Sequence, residues 1–231
     1  MNFVLYDHNN IAILEKAIKH FLQKLLTSPN MYLFTNIPSE DINLIQALGS
    51  NSFKLIETRL AYYNNDFSSF NKERYKVRAA EKTDIPNLMG VAREMRNNYD
   101  RFHADKIFSS DVADGFLAKY VEESVKGYTD VTLVPAEENT PSDSFITANY
   151  LKSEWLTFGI NISKMVLSAV SGKTNKGWHR KLMSEMTYHL RDQGAEYIFY
   201  TTQSTNRAVI HNLESLDYKY GSSIHVFSIN S

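Results

Sequence analysis

Two glycines, Gly172 and Gly177, bracket a polar turn, and an apolar stripe follows it at once: Trp178, Leu182, Met186 and Leu190, repeated every fourth residue. The chemistry open to such a turn is anion binding. Backbone N–H groups at the start of a helix, here within Asn175 to Arg180, have no intrahelical acceptor, and the helix dipole adds roughly half a positive charge there. The glycines keep that backbone free of bulky side chains. The elements that hold the turn are legible on both sides of it. Met165 to Val170 is a short apolar run with β-branched character and reads as a buried strand. The helix stops at Gly194, a residue suited to a left-handed helix end, and Tyr197 to Tyr200 reads as a second apolar strand. Strand, helix and strand within roughly forty residues predict a crossover between two parallel strands, with the helix N-terminus beside the C-terminal end of the first.

The composition bounds what else the chain can do. With 231 residues and 43% hydrophobic content it can bury a proper core. A formal net charge of −1 without a long charged run gives no nucleic-acid footprint and no polybasic membrane anchor. The absence of cysteine removes disulfides, thiolate metal sites and a cysteine nucleophile together. No run approaches the roughly eighteen apolar residues of a membrane span, and MNFVLYDHNN lacks the regions of a signal peptide, so a cytoplasmic location is expected.

Val170 through Leu182, together with Asn206 through Tyr218, resembles the two signature motifs of the GNAT superfamily of N-acyltransferases. In that superfamily Arg/Gln-x-x-Gly-x-Gly/Ala after a central strand cradles the pyrophosphate of acyl-coenzyme A. This chain has Thr174, Gly177 and His179 at the three positions, so two of them depart from the pattern. In the second motif the family's Asn is matched by Asn206, and its Leu-Gly-Phe by Leu216-Asp217-Tyr218. The resemblance implies an α/β protein with a mixed sheet, acyl-CoA as co-substrate and no metal. It places Ser168, Ala169 and Val170 along the pantetheine, Thr174, Asn175, Lys176, Gly177, Trp178 and His179 around the pyrophosphate, and Asn206 beside the pantetheine arm. Asn206 reads equally as a helix N-cap.

The rest of the chain supplies a GNAT-like order from Tyr75 onward. A strand at Tyr75–Ala79 precedes helices over Lys82–Arg96 and Asp111–Val125, with a loop between them. Strands are expected at Val131–Ala136, Phe145–Tyr150 and Trp155–Ile160. Ahead of these, Ile11, Leu14, Ile18, Phe21 and Leu25 form one face of a helix. Met31–Phe34 is a strand, Ser39 is the expected cap of a helix ending at Gly49, and Phe53–Tyr63 is a strand whose Ile56, Thr58, Leu60 and Tyr62 share a face. The polar stretch Asn64–Arg74 reads as a linker between a reduced N-terminal α/β half-domain, 1–70, and an acyltransferase domain, 74–231. FTNIPSEDINLIQALGSNSFKLIET also echoes YTTQSTNRAVIHNLESLDYKYGSSI, which suits a reduced half of the same fold; two unrelated helix–strand units would read the same way.

Between the first two helices of a GNAT fold lies much of the acceptor site. Here that segment contains Arg101, Phe102 and His103, and with Tyr120–Ser124 it resembles enzymes that acylate dTDP-linked amino sugars, such as dTDP-fucosamine acetyltransferases. The resemblance implies transfer of an acetyl or short acyl group to a nucleotide-linked amino sugar in the synthesis of O-antigen or another surface polysaccharide. Acylation of a peptide or small amine, and a non-catalytic binding module, are the other readings; a homodimer is the open expectation for assembly. An amine attacking a thioester needs a base and an oxyanion donor. Asp7 and Glu154 are the first candidates for the base, with His8, His103 and His211 behind them. The family's proton-donating Tyr is replaced by Leu213.

Overall fold

The computed structural model describes residues 10–25 and 31–230. An N-terminal unit comprises α1 (Ile11–Leu25), β1 (Tyr32–Pro38), α2 (Ile42–Ser50) and β2 (Lys54–Asn64). Next come β3 (Val77–Ala79), α3 (Ile85–Glu94), the short α4 (Arg101–Ala104), α5 (Ser110–Glu123), β4 (Val131–Pro135), β5 (Ser144–Tyr150) and α6 (Lys152–Phe158). The chain ends in β6 (Ile162–Val170), α7 (Trp178–Asp192), β7 (Tyr197–Gln203), α8 (Arg207–Ser215) and β8 (Lys219–Asn230). All eight strands join one mixed sheet in the order β1-β8-β2-β7-β6-β5-β4-β3.

Periodicity explains the layers. The α7 stripe, Trp178, Leu182, Met186 and Leu190, is buried with Ile198, Tyr200 and Leu213 in the main core on one face of the sheet. Leu88, Val91 and Ala92 of α3 and Val121 of α5 bury Val134, Phe145 and Ala169 on the other. A third cluster joins α1 and α2 to Phe227 of β8. Strands β6 and β7 pair in parallel, as the crossover predicted, and Gly194 ends its helix in the left-handed region at φ 88°.

The two echoing segments interlock. Asp41 and Asn206 cap α2 and α8 at φ −83°, ψ 70° and φ −85°, ψ 70°, accepting from Leu44 N and Val209 N. Ser52 and Asp217 then turn the chain at φ 66° and 63°. Each unit receives the other's second strand: β8 lies between β1 and β2, and β2 lies between β7 and β8, antiparallel to both. The boundary expected between 1–70 and 74–231 thus crosses one continuous sheet.

Two local expectations are corrected. Trp155–Ile160 is not a strand; α6 occupies 152–158 and closes at Gly159, left-handed at φ 67°, whose N–H donates to Trp155 O. Its apolar run misled because Leu156 is 94% exposed, so the run does not mark a buried strand. Asp41, not Ser39, caps α2, because the Ser39 hydroxyl is turned toward Ser223 on β8. Among the described residues no helix is long and apolar enough to cross a membrane.

Candidate active site

Pairing between β6 and β7 ends at Met165 opposite Tyr200, although β6 runs on to Val170 and β7 to Gln203. The strands part because β6 is irregular: its register against β5 shifts between Ile146 and Ala148. At that irregularity the Thr147 hydroxyl accepts from Leu167 N at 3.0 Å and donates to Leu167 O at 3.2 Å. Leu167 thereby directs its backbone toward β5. Strand alternation then turns the N–H and C=O of Ser168 and Val170 toward the gap, and those of Ala169 toward Phe145, its partner on β5. The result is a wedge-shaped slot through the sheet, with unpaired strand edge on its β6 side.

At the mouth of the slot the chain turns into α7. Gly177 sits at the cap position with φ 91° and no side-chain cap, and a Cβ built there would meet nothing within 4 Å. Thr174 and Asn175 brace the turn with their side chains, Asn175 buried and Thr174 at the surface. Asn175, 1% exposed, donates to Pro141 O at 2.7 Å and to Asp143 Oδ1 at 2.5 Å. Thr174 donates to the Asp143 carboxylate, and its Oγ1 lies 2.8 Å from the Ser171 hydroxyl. Lys176 is exposed and Trp178 is buried in the core. What remains for an anion is the backbone: the first N–H groups of α7, opened by Gly177.

A half-buried hydrogen-bond chain runs beside the slot and ends on the buried Tyr200. Asn212 Nδ2 donates to His179 Nδ1 at 2.9 Å, which leaves Nε2–H to donate to Ser168 Oγ at 2.9 Å, and Ser168 Oγ lies 3.0 Å from the Tyr200 hydroxyl. Burial pushes the His179 imidazole down to about 4 and pushes the Tyr200 hydroxyl up. The imidazole is therefore neutral near pH 7. Asn206 serves as the N-cap of α8, accepting from Val209 N at 3.4 Å. Leu213 is 0% exposed inside the main core. Restoring the family's residue by Leu213→Tyr should overpack that site and cost about 2 kcal/mol. Urea unfolding checks this; a variant as stable as the parent would show that the position has room.

The remaining expected residues are dispersed. Arg101 lies with its guanidinium 3.9 Å from the Phe34 ring centroid and 4.5 Å from that of Phe102. Phe102 packs on Phe108 and Phe116, and His103 is clamped between Asp100 at 2.7 Å and Asp114 at 3.0 Å. Glu154 stands on α6 beside the first residues of β6, at the opposite end of that strand from the Gly172–Gly177 turn, and contacts Ser153. His211 is exposed on α8. Asp7 and His8 lie outside the described residues. None of the described base candidates reaches the slot.

A buried carboxylate that contacts the last residue of β7 is one the sequence reading passed over. Glu57 on β2 is buried, bonded to Arg59 Nε at 2.8 Å and to Gln203 Nε2 at 3.1 Å; Gln203 in turn accepts from Asn97 at 2.9 Å. Glu57 and Gln203 border an open cleft of about 250 Å³ that Tyr99 also lines. The available signal was the Glu57–Arg59 pair two residues apart on a strand, which placed both charges on one face.

No family model matches the chain and no curated protein matches its sequence. Solved structures do. A GCN5-related N-acetyltransferase from Sphaerobacter thermophilus superposes with a TM-score of 0.61 at 6% identity, over 95% of this chain and 67% of its own. A GNAT-family acetyltransferase from Colwellia psychrerythraea gives 0.55 at 11%, over 99% and 76%. A conserved Staphylococcus epidermidis protein of unknown function gives 0.57 at 12%, over 97% and 81%. These likenesses establish the fold: the chain has the GNAT acetyltransferase architecture.

Proposed function

We propose that the protein is an acyl-CoA-dependent N-acyltransferase. The observation that carries this reading is the slot between β6 and β7, opened by the irregularity at Leu167 and ending at the glycine-started α7. The residues suit the co-substrate: an open turn at Gly177 and α7 N–H groups for the pyrophosphate, and the free edge at Ser168 and Val170 for the pantetheine amides. When bound, the co-substrate supplies an activated acyl thioester. A backbone N–H on the slot edge is the donor available to a developing oxyanion. With Leu213 in the core, the Tyr200 hydroxyl bordering the slot is the group placed to give a proton to the leaving sulfur.

The acceptor we propose is the amino group of a dTDP-linked amino-deoxy sugar, acylated with an acetyl or short acyl group for a surface polysaccharide. Support for it is the resemblance of the Arg101–Phe102 segment and the open face beside it. Residues 1–70 are, in this reading, a reduced half-unit that completes the catalytic sheet rather than a second active site.

The test is thermal unfolding with and without coenzyme A, followed by release of free CoA thiol from acyl-CoA donors mixed with dTDP-amino sugars. A ligand at a hundredfold excess over Kd adds about 2.7 kcal/mol, a visible rise in Tm. Gly177→Val forces a β-branched residue to φ 91° and should weaken coenzyme A at least tenfold while the chain still folds. No rise in Tm with millimolar coenzyme A would end the transferase reading.

A further inference from the structure

The face of the sheet turned away from α7 carries charges that the fold does not balance. On β7 the burial alternates: Ile198, Tyr200 and Thr202 are buried, whereas Phe199, Thr201 and Gln203 on the opposite face are half-exposed. Cross-strand partners share a face, so the register sets Lys164 of β6 beside Phe199, and Ala61 and Arg59 of β2 beside Thr201 and Gln203. The floor is thus small residues, Thr201 and Ala61, with a cation at each end. Phe199 and Gln203 are four residues apart, so the two cations are anchored roughly 13 Å apart along the strands and reach over the floor between them.

The chemistry of that face is cationic. Arg59 is paired with Glu57. Among the described residues neither Lys164 nor Arg101 has a carboxylate within ion-pair distance, and Arg101 Nε is buried without any hydrogen-bond partner. Lys164 Nζ lies 5.3 Å from the centroid of the Phe199 ring, and Arg101 lies between two phenylalanines. Of the three cations only Arg59 is in a salt bridge; Arg101 feels Glu57 and Asp100 from beyond ion-pair distance, and among the described residues no carboxylate is paired with Lys164. Burial lowers both Lys164 and Arg101, and in each the Arg59 charge lowers it further, while Glu57 and Asp100 act on Arg101 in the opposite direction, so Arg59 is the cation that links the other two. Cations withdrawn from water without a counter-charge destabilise a fold, and a structure that keeps them has a site awaiting an anion.

We infer that Lys164, Arg59 and Arg101 form an anion-recognition groove, and that the acceptor of the acyl group carries a phosphate or carboxylate held there while its amine enters the slot. This rests on the transferase reading. It also sets the acceptor class: a cationic groove repels polyamines and free basic side chains, and selects an amine that bears its own negative charge. The diphosphate of a sugar nucleotide is one source of that charge; the carboxylate of an amino acid or peptide end is another.

Calorimetric titration of the full chain, with coenzyme A saturating so that the α7 corner is filled and again without it, separates the cases. The probes are dTDP, inorganic pyrophosphate, thymidine and succinate. The groove predicts that dTDP and pyrophosphate bind, that thymidine binds at least tenfold more weakly, and that Lys164→Met and Arg101→Met each weaken dTDP at least tenfold. Coenzyme A affinity stays as in the parent. Because each variant removes a half-buried cation that has no ion-pair partner among the described residues, Tm without ligand should hold or rise, which a merely structural role would not give. Succinate binding in preference to pyrophosphate keeps the groove and moves the acceptor to the carboxylate class. Anion affinities indifferent to both substitutions, or thymidine binding as tightly as dTDP, overturn the inference. Loss of coenzyme A binding with the anion arms intact refutes the transferase reading alone.

Discussion

A chain beginning at residue 74 does not fold. Removing the first seventy-three residues withdraws β2 from the middle of the sheet, where it pairs with β7 from Arg59–Gln203 to Asn64–Ile198 and with β8 from Lys54–Ser228 to Tyr63–Lys219. Two core aromatics go with it: Tyr62, 5% exposed and donating to Glu214 at 3.0 Å, and Phe70, 4% exposed against Tyr188. Burying one such side chain is worth about 3 kcal/mol, and a domain's whole margin is about 5–15 kcal/mol. The strand β7 would also be left with an open edge that invites aggregation. Size-exclusion chromatography and circular dichroism of 74–231 should show aggregate or a chain without cooperative unfolding. Co-expression with 1–73 as a separate polypeptide should restore a soluble complex, since the missing strand can be supplied in trans. A monomeric, cooperatively folding 74–231 would show that β2 is an addition to the sheet rather than part of its centre.

The second large effect is of pH. His179 is held neutral by burial, with its pKa down at about 4, whereas in the unfolded chain it titrates near the ordinary 6.5. Between those values the unfolded state binds the extra proton, so stability is full above about 6.5 and falls as the pH drops toward 4. The loss over that window is about 3 kcal/mol. His189, also lowered by burial, acts in the same direction. Asp84, held down at about 2 by Arg78, loses its contribution only at lower pH. Urea unfolding at pH 7, 6, 5 and 4 should show the decline, and His179→Gln should flatten it by removing the buried imidazole. An unchanged slope in the variant would mean that the imidazole reaches water.

What the sequence disclosed follows from how locally each feature is encoded. The α7 stripe, the glycine that ends it and the parallel strand pair are set by residues within one turn or one crossover, so Trp178, Leu182, Met186 and Leu190 announced both helix and core. The glycine-opened turn ahead of α7 was legible for the same reason. The run at Trp155–Ile160 looked like a strand because apolar residues do so whether or not anything covers them; Leu156 and Phe158 are largely exposed. Glu57 was missed because attention went to Ile56, Thr58, Leu60 and Tyr62, while the buried acid belongs to the opposite face. The three cations of the groove lie on β2, α4 and β6, and no spacing rule joins positions 59, 101 and 164. The exchange of strands between the two echoing units was unreadable too, since pairing of β2 with β8 leaves no periodic mark on either.

That exchange governs how the protein is made. Asn64 and Lys219, the facing ends of β2 and β8, are separated by about 150 residues, a contact order that puts pairing late in folding. At ordinary rates of translation the first unit waits about 8–30 s for its partner strand to emerge from the ribosome. Throughout that interval α1 and α2 can shelter their own apolar face, but the edges of β1 and β2 stay open until β8 slides between them. The same crossing that ties the finished molecule together leaves the nascent chain dependent on escort.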